Sequence, residues 1–337
     1  MKILKKLKWL IICIITMIII ILVPLLAVTK SHHNRSEINY QKSSIGNYEA
    51  NAKKSFCVLD ESSGSILDIP DEEFLYGVVC TEMPAKFEEE ALKAQAVASY
   101  TYFCRARNLE RSKGSNSKYD FKVDTQKAVN YITKKQRKEK WGSRFEEYEE
   151  KIENAVNSVF GEIIEDEGEP ILAAYHAISS GKTEKSEDVF GGSVKYLTNV
   201  ESPGDKTVAG YETTAKIDIK KFKEILSSKI SNLKFDKQPE KWVGIPKRSD
   251  GGMVKEISIC GETFKGTEIR VMFALRSSDF DLWFDKAENK FVFKVRGYGH
   301  GVGMSQHGAQ YMALEGNDYK KILSWYYPDT SVVKINS

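Results

Sequence analysis

Glu82 stands three and four positions after Val79 and Val78, so a helix through this segment carries its carboxyl on the apolar face, away from Glu72 and Glu73. Ionising a carboxyl there is unfavourable. The last turn of a helix adds to the difficulty, because its unpaired carbonyls disfavour an anion. Both effects push the pKa upward, toward that of a general acid working near neutral pH. Glu88, Glu89 and Glu90 differ: they open the next helical segment, where the dipole favours anions and water solvates them. A buried carboxylate paired with arginine or bonded to backbone amides fits position 82 equally well, so its placement alone leaves catalysis and structural pairing open.

Other residue types could also do chemistry. Gly297 to Gly303 carries glycine at every second position, but it lacks the Lys-Ser/Thr of a phosphate loop and the spacing of a dinucleotide site. Those glycines let the backbone pass close to another segment or to sugar. They then feed a helix starting near Ser305, whose free amides could hold an acetamido or carboxyl group. His300, inside the run, fits substrate contact and structural hydrogen bonding equally. Ser179 and Ser180 with His176 invite a serine-hydrolase reading, which fails for want of a G-x-S-x-G elbow and a third partner. Cys57, Cys80, Cys104 and Cys260 are widely separated, with no C-x-x-C pair and no histidine spaced for zinc; they read as buried thiols, with disulfides in any of three connectivities the alternative that an oxidising exterior would permit.

The elements that must position these groups follow from periodicity. Strands are expected at Ser55–Asp60 and Ser65–Ile69 around the turn Glu61-Ser62-Ser63-Gly64. A helix over Asp71–Glu82 must stop there, because Pro84 pushes Met83 out of helical dihedrals. A longer helix over Phe87–Arg107 carries a small-residue stripe (Ala91, Ala94, Ala98) beside a larger apolar one (Leu92, Ala96, Tyr100, Phe103). Asn108–Ser143 is polar and irregular and reads as a surface excursion or lobe junction; within it, the basic stretch Lys134–Lys140 reads as solvated. Helical spacing resumes over Phe145–Val159, and Glu162–Ile164 with Ile171–Tyr175 reads as a hairpin around a charged turn. Later strands at Thr213–Asp218, Met253–Ile259, Leu282–Asp285 and Lys290–Val295 alternate with helices ending near Ile230 and spanning Thr267–Leu275. This order predicts an α+β class, two-lobed around a central cleft, rather than a parallel doubly wound sheet.

The N-terminus is unlike the rest. Residues 1–8 are basic and 9–28 form an uncharged apolar run, about the 20 residues needed to span a bilayer. The run is too long for a signal peptide and lacks a cleavage site, so it predicts an uncleaved transmembrane helix with a cytoplasmic N-terminus. Residues 29–54 then form a tether, and 55–337 the extracytoplasmic working region. Residues 1–30 hold five lysines and no acid, so removing them takes the formal charge from +3 to −2. That near-neutral body argues against nucleic acid as a partner.

Three long stretches carry a family likeness. Val79-Cys80-Thr81-Glu82-Met83-Pro84-Ala85 with Glu90 to Ala98, Tyr175 to Glu184 continuing through Asp188 to Leu197, and Gly297 to Ala309 with Tyr326-Tyr327-Pro328 resemble the stage II sporulation protein D family, in the family's order. The resemblance implies a peptidoglycan lytic transglycosylase with Glu82 as the catalytic acid/base, producing 1,6-anhydro-muramyl ends without water. It implies stem-peptide-free glycan strands as substrate, with Tyr196, Ser179 and His300 as substrate-binding residues. It further implies action during engulfment in sporulation, in the mother-cell membrane, beside a cell-wall amidase and a membrane partner. Members commonly have Arg-Thr-Tyr where this chain has Tyr100-Thr101-Tyr102, which leaves Arg105 as the candidate replacement. Some members bind zinc through cysteines and a histidine in the stretch matching Lys118–Tyr131; neither residue type occurs there, so no metal or other cofactor is expected. The rival readings are a non-catalytic wall-binding modifier that activates an amidase, and a water-using muramidase. The latter needs a second carboxylate, for which Glu184, Glu187 and Asp188 stay open.

Overall fold

Phe56 and Val58 point inward from a strand, β1 (Ser55–Asp60), that pairs antiparallel with β2 (Ser65–Pro70). The computed structural model describes residues 55–114, 117–231 and 233–335, so the basic segment, the apolar run and the tether lie outside the described residues. Among the described residues no helix is long and apolar enough to cross a membrane. Pro70 leads into α1 (Asp71–Glu82), whose Phe74, Leu75, Val78 and Val79 are buried. Met83 then turns extended (φ −124°, ψ 147°), as the following proline requires.

The second helix, α2 (Glu89–Ser112), is the spine on which neighbouring elements pack. Its alanine-rich first turns are buried, and α1, α4 (Phe145–Val159), α8 (Gln306–Leu314), α9 (Tyr319–Tyr326) and β4 (Glu162–Asp166) all pack on it. It runs five residues past the expected end at Arg107, into the stretch read from sequence as irregular. That stretch is largely structured. β3 (Phe121–Val123) pairs parallel with β1, and α3 (Lys134–Trp141) begins at a capping box between Thr133 and Gln136. The basic run is therefore not simply solvated: Arg137 is fully buried, donating to both Glu149 oxygens at 2.8 and 2.9 Å and to Glu73 at 3.2 Å. One inward arginine among outward lysines leaves no trace in composition, which is why it escaped the sequence reading.

The hairpin is tighter than expected. Glu167 and Gly168, both at positive φ, turn β4 into β5 (Glu169–Pro170), and β14 (Ser331–Lys334) covers the other edge. Of Ile171–Tyr175 only Ile171 returns along the hairpin, its N–H donating to the Ile164 carbonyl at 3.0 Å. Instead β6 (Tyr175–His176) pairs parallel with β13 (Met304–Ser305), bringing two distant segments side by side. A short helix, α5 (Ser186–Phe190), follows β6.

A second hydrophobic cluster is built from β7 (Glu212–Asp218), α6 (Ile219–Ser227), β9 (Val254–Ile259), β10 (Glu262–Lys265), α7 (Gly266–Met272), β11 (Asp279–Asp285) and β12 (Lys290–Arg296), with the exposed β8 (Lys247–Arg248) pairing on the edge of β9. β12 is the central strand, flanked antiparallel by β7 and β11, and Phe291 from it stacks on Phe222 of α6. Among the described residues, hairpins and helices mix in one α+β fold with no closed barrel.

The buried arginine yields a stability prediction. Arg137→Ala leaves buried Glu149 with only the exposed Lys134 ammonium, 3.5 Å away, and is expected to destabilise the protein by about 3 kcal/mol. Urea unfolding monitored by circular dichroism measures this; a loss below about 1 kcal/mol would place the pair among surface-type bridges.

Candidate active site

Glu82 is the last residue of α1, held half-buried where the helix gives way to extended chain. Met83 N–H closes the final turn on Val79 at 3.0 Å. Lys140, from α3, donates to the Cys80 carbonyl at 2.8 Å, putting a cation on the negative end of the helix. The carboxyl itself accepts one side-chain hydrogen bond, from Gln306 Nε2 to Oε2 at 3.1 Å. Burial pushes its pKa up, and the Gln306 amide offsets part of the rise. Among the described residues no cation pairs with Glu82, so the structural alternative of an arginine partner does not apply.

Gln306 reaches Glu82 because the start of α8 is tightly fixed. Ser305 caps that helix, its hydroxyl accepting from Gly308 N–H at 3.2 Å while donating to Asp205 Oδ1 at 2.8 Å. Asp205 in turn takes the Ser179 backbone N–H at 2.8 Å and the Ser179 hydroxyl at 2.5 Å. The β6–β13 pairing adds Tyr175, whose phenol is pushed well up by burial and by the charge of Glu82. Gly303, at φ +71°, permits this pairing: a Cβ there would lie 2.0 Å from the Ala174 carbonyl oxygen.

The candidate residues are thus divided. Glu82 meets Tyr175 and Gln306. His300 sits behind Tyr175, hydrogen-bonded to its backbone, with Nδ1 accepting from Val302 N–H at 3.1 Å. Burial first, then the charge of Arg270, lowers its pKa to about 4, so the ring is neutral at pH 7. Ser179 is 1% exposed and bonded to Asp205 rather than to His176, whose own Nδ1 faces the Val302 carbonyl. Tyr196 is buried elsewhere, its hydroxyl accepting from Leu172 N–H at 2.9 Å. Of the further acids, Glu184 is buried and accepts from the Ser249 hydroxyl and the Met253 N–H, and Asp188 pairs with Lys255. Gln306, Tyr175 and Lys140 were missed by sequence reasoning. Gln306 and Tyr175 lay inside the quoted motif stretches, but an amide and a phenol give no chemical signal by spacing.

This geometry sits within a wider likeness. Residues 60–165 match the family model described as stage II sporulation protein. The chain is 34% identical to stage II sporulation protein D of Bacillus subtilis over 93% of this chain and 92% of that one. It is 36% identical to the protein of the same name from Bacillus amyloliquefaciens, over 82% and 78%. The chain belongs to the stage II sporulation protein D family. It is also 27% identical to the amidase enhancer of Bacillus subtilis, over 77% of this chain and 40% of that one.

Two departures from the family pattern have structural explanations. Tyr100, where members commonly carry arginine, donates to Asp71 at 3.0 Å, and Arg107 supplies the buried cation for the same acid at 3.1 Å. Arg105 is turned away, donating to the Pro170 carbonyl at 2.8 Å, so it does not stand in beside Glu82. The zinc of some members does not fit here: Lys118–Tyr131 offers only Asp120 and Asp124, engaged by Arg111 and Lys127.

Glu82 also sets a pH dependence. Folded Glu82 keeps its proton to higher pH than the unfolded chain, whose value is near the ordinary 4.5. Its contribution to stability therefore falls as pH rises from about there to the raised folded value, and stays lost above it. Glu82→Gln should raise the thermal midpoint by a few degrees at pH 7 while leaving it close to wild type at pH 4. Equal midpoints at both pH values would contradict the burial argument.

Proposed function

We propose that this chain is a lytic transglycosylase that cuts peptidoglycan between N-acetylmuramic acid and N-acetylglucosamine, with Glu82 as its catalytic acid and base. The observation that carries this reading is a lone carboxyl, raised by burial and held by one neutral donor, with no second acid among the causes of its shift. A water-using glycosidase needs two carboxylates, about 5 Å apart for retention and farther for inversion. One suffices when water is not a reactant. Protonated Glu82 gives its proton to the glycosidic oxygen as the bond from the muramyl anomeric carbon breaks. The carboxylate so formed then takes the proton of the muramyl 6-hydroxyl as that oxygen bonds to the anomeric carbon. The products are an anhydro end and a free glucosamine 4-hydroxyl, and Glu82 is protonated again.

The finer parts of the reading go together. The two hydrophobic clusters form two lobes with the substrate strand between them, and His300, Ser179 and Tyr196 shape the binding surface from behind. Residues 9–28 anchor the enzyme in the mother-cell membrane with residues 55–337 outside the cytoplasm. There it follows a peptide-stripping amidase on denuded strands during engulfment, together with a membrane partner. Family membership and the paired motifs support this arrangement. A second reading, a wall-binding activator of an amidase without cleavage of its own, is favoured by the likeness to the amidase enhancer.

Mass spectrometry of products from stem-peptide-free glycan separates these readings. Anhydro-muramyl ends are expected from wild type, and Glu82→Gln should lose at least about 100-fold in rate. Reducing muramyl ends would make the chain a hydrolase, and an intact glycan with a stimulated amidase would make it an activator.

A further inference from the structure

Behind Glu82 a file of neutral polar side chains runs into the core. Gln306 Nε2 donates to Glu82 Oε2 at 3.1 Å and also to Gln95 Oε1 at 3.3 Å, so both hydrogens of one amide are used. Gln95, on α2, donates from its own Nε2 to Ser99 Oγ at 2.9 Å, and Ser99 donates onward to the Tyr175 hydroxyl at 3.5 Å. Gln95 and Ser99 have no exposed surface and Gln306 is 6% exposed, so water does not replace a misdirected bond there.

The polarity of such a file is not free. Ser99 has one hydrogen, and giving it to Tyr175 leaves only lone pairs for Gln95, which must present its NH2 to Ser99 and its oxygen to Gln306. An acceptor at that point requires the Gln306 NH2. Turning Gln306 over would set its oxygen against the Gln95 oxygen and against the Glu82 carboxylate, two repulsive contacts in a dry site. A reversed file is consistent only if Glu82 is protonated and gives that proton to the Gln306 oxygen, where no substrate can reach it.

We propose that Gln95 and Ser99 are positioning residues that lock the Gln306 amide with its donor side toward Glu82, keeping the transferable proton on Glu82 Oε1. This inference rests on the acid/base role of Glu82 proposed above. In the locked orientation Oε2 is always an acceptor, so the acid proton resides on the other oxygen and is available to the glycosidic bond. Titratable groups on the elements meeting there include Tyr175 on β6, Tyr102 on α2, Cys80 on α1, Lys140 on α3 and His307 on α8, and burial pushes the Tyr102 phenol and the Cys80 thiol up. Lys140 is engaged with the Cys80 carbonyl, and burial holds His307 below its usual range, leaving Tyr175 as the neighbour that Glu82 itself perturbs.

Titration of the Glu82 carboxyl by carbon-13 NMR, in the full-length chain labelled at glutamate, tests the lock without any substrate. Gln306→Leu removes the donor and Gln95→Met, which touches neither Glu82 nor glycan, frees Gln306 to turn; both should raise the Glu82 midpoint. On denuded glycan Gln95→Met should lower kcat about tenfold with KM unchanged and move the acid–base limbs of the rate profile upward. Should Gln95→Met fail to fold, Ser99→Ala, which strands the Gln95 NH2, takes its place with the same expected shift. A Glu82 midpoint unmoved in folded variants would overturn the lock whatever the glycan assay gives. Absence of glycan cleavage by wild type would sink the transglycosylase reading alone, because the midpoints still decide the lock.

Discussion

A carboxyl at the C-terminal turn of α1 meets two unfavourable influences at once, removal from water and the negative end of the helix. Lys140 relieves the second by covering the Cys80 carbonyl, and Gln306 relieves the first with a single hydrogen bond. Neither brings a charge onto the carboxyl itself. The result is an acid that holds its proton more tightly than an exposed glutamate yet can release it, and the surrounding fold preserves that balance.

Preserving it requires coordination over a long span of chain, since Gln306 lies 224 positions after Glu82. α2 is the common template: α1 packs on one part of it, α8 on another, and its Gln95 touches the Gln306 side chain directly. The start of α8 is fixed from the far side by Asp205, which gathers Ser179 and Ser305 into one buried cluster. The two-residue parallel pairing of β6 and β13 then sets Tyr175 beside the same point.

Much of the helical part was legible from sequence. Asp71–Glu82 could be bounded because Pro84 forbids continuation, and Phe145–Val159 because its apolar face repeats cleanly. What could not be read is pairing between distant segments. Ile171–Tyr175 has the composition of a hairpin strand, but local pairing with β4 ends at Ile171, whose N–H donates to the Ile164 carbonyl at 3.0 Å, leaving Tyr175 for Met304. Lys134–Lys140 reads as solvent-facing because propensity counts charges and not directions, whereas capping by Thr133 turns Arg137 inward onto Glu149. At the site, Glu82 was visible because a carboxylate on an apolar face is a physical anomaly. Gln306 was invisible because an amide is not.

Other carboxyls are buried in this fold, and their partners explain why Glu82 is distinct. Asp205 has a backbone N–H and two serine hydroxyls, and Asp279 has two arginines. Glu184 has a hydroxyl and a backbone N–H on one oxygen. Burial pushes each of these upward, and each accepts from at least two donors, with Glu184 Oε2 alone among their oxygens buried without a partner. Glu82 has one neutral donor and a partly open face. A fold able to surround Asp205 so completely leaves Glu82 under-satisfied where a substrate oxygen could complete its hydrogen bonding. An acid poised to exchange a proton with that oxygen must lack a full set of internal partners, since each added donor would favour the ionised form and weaken the acid's hold on the proton it has to deliver.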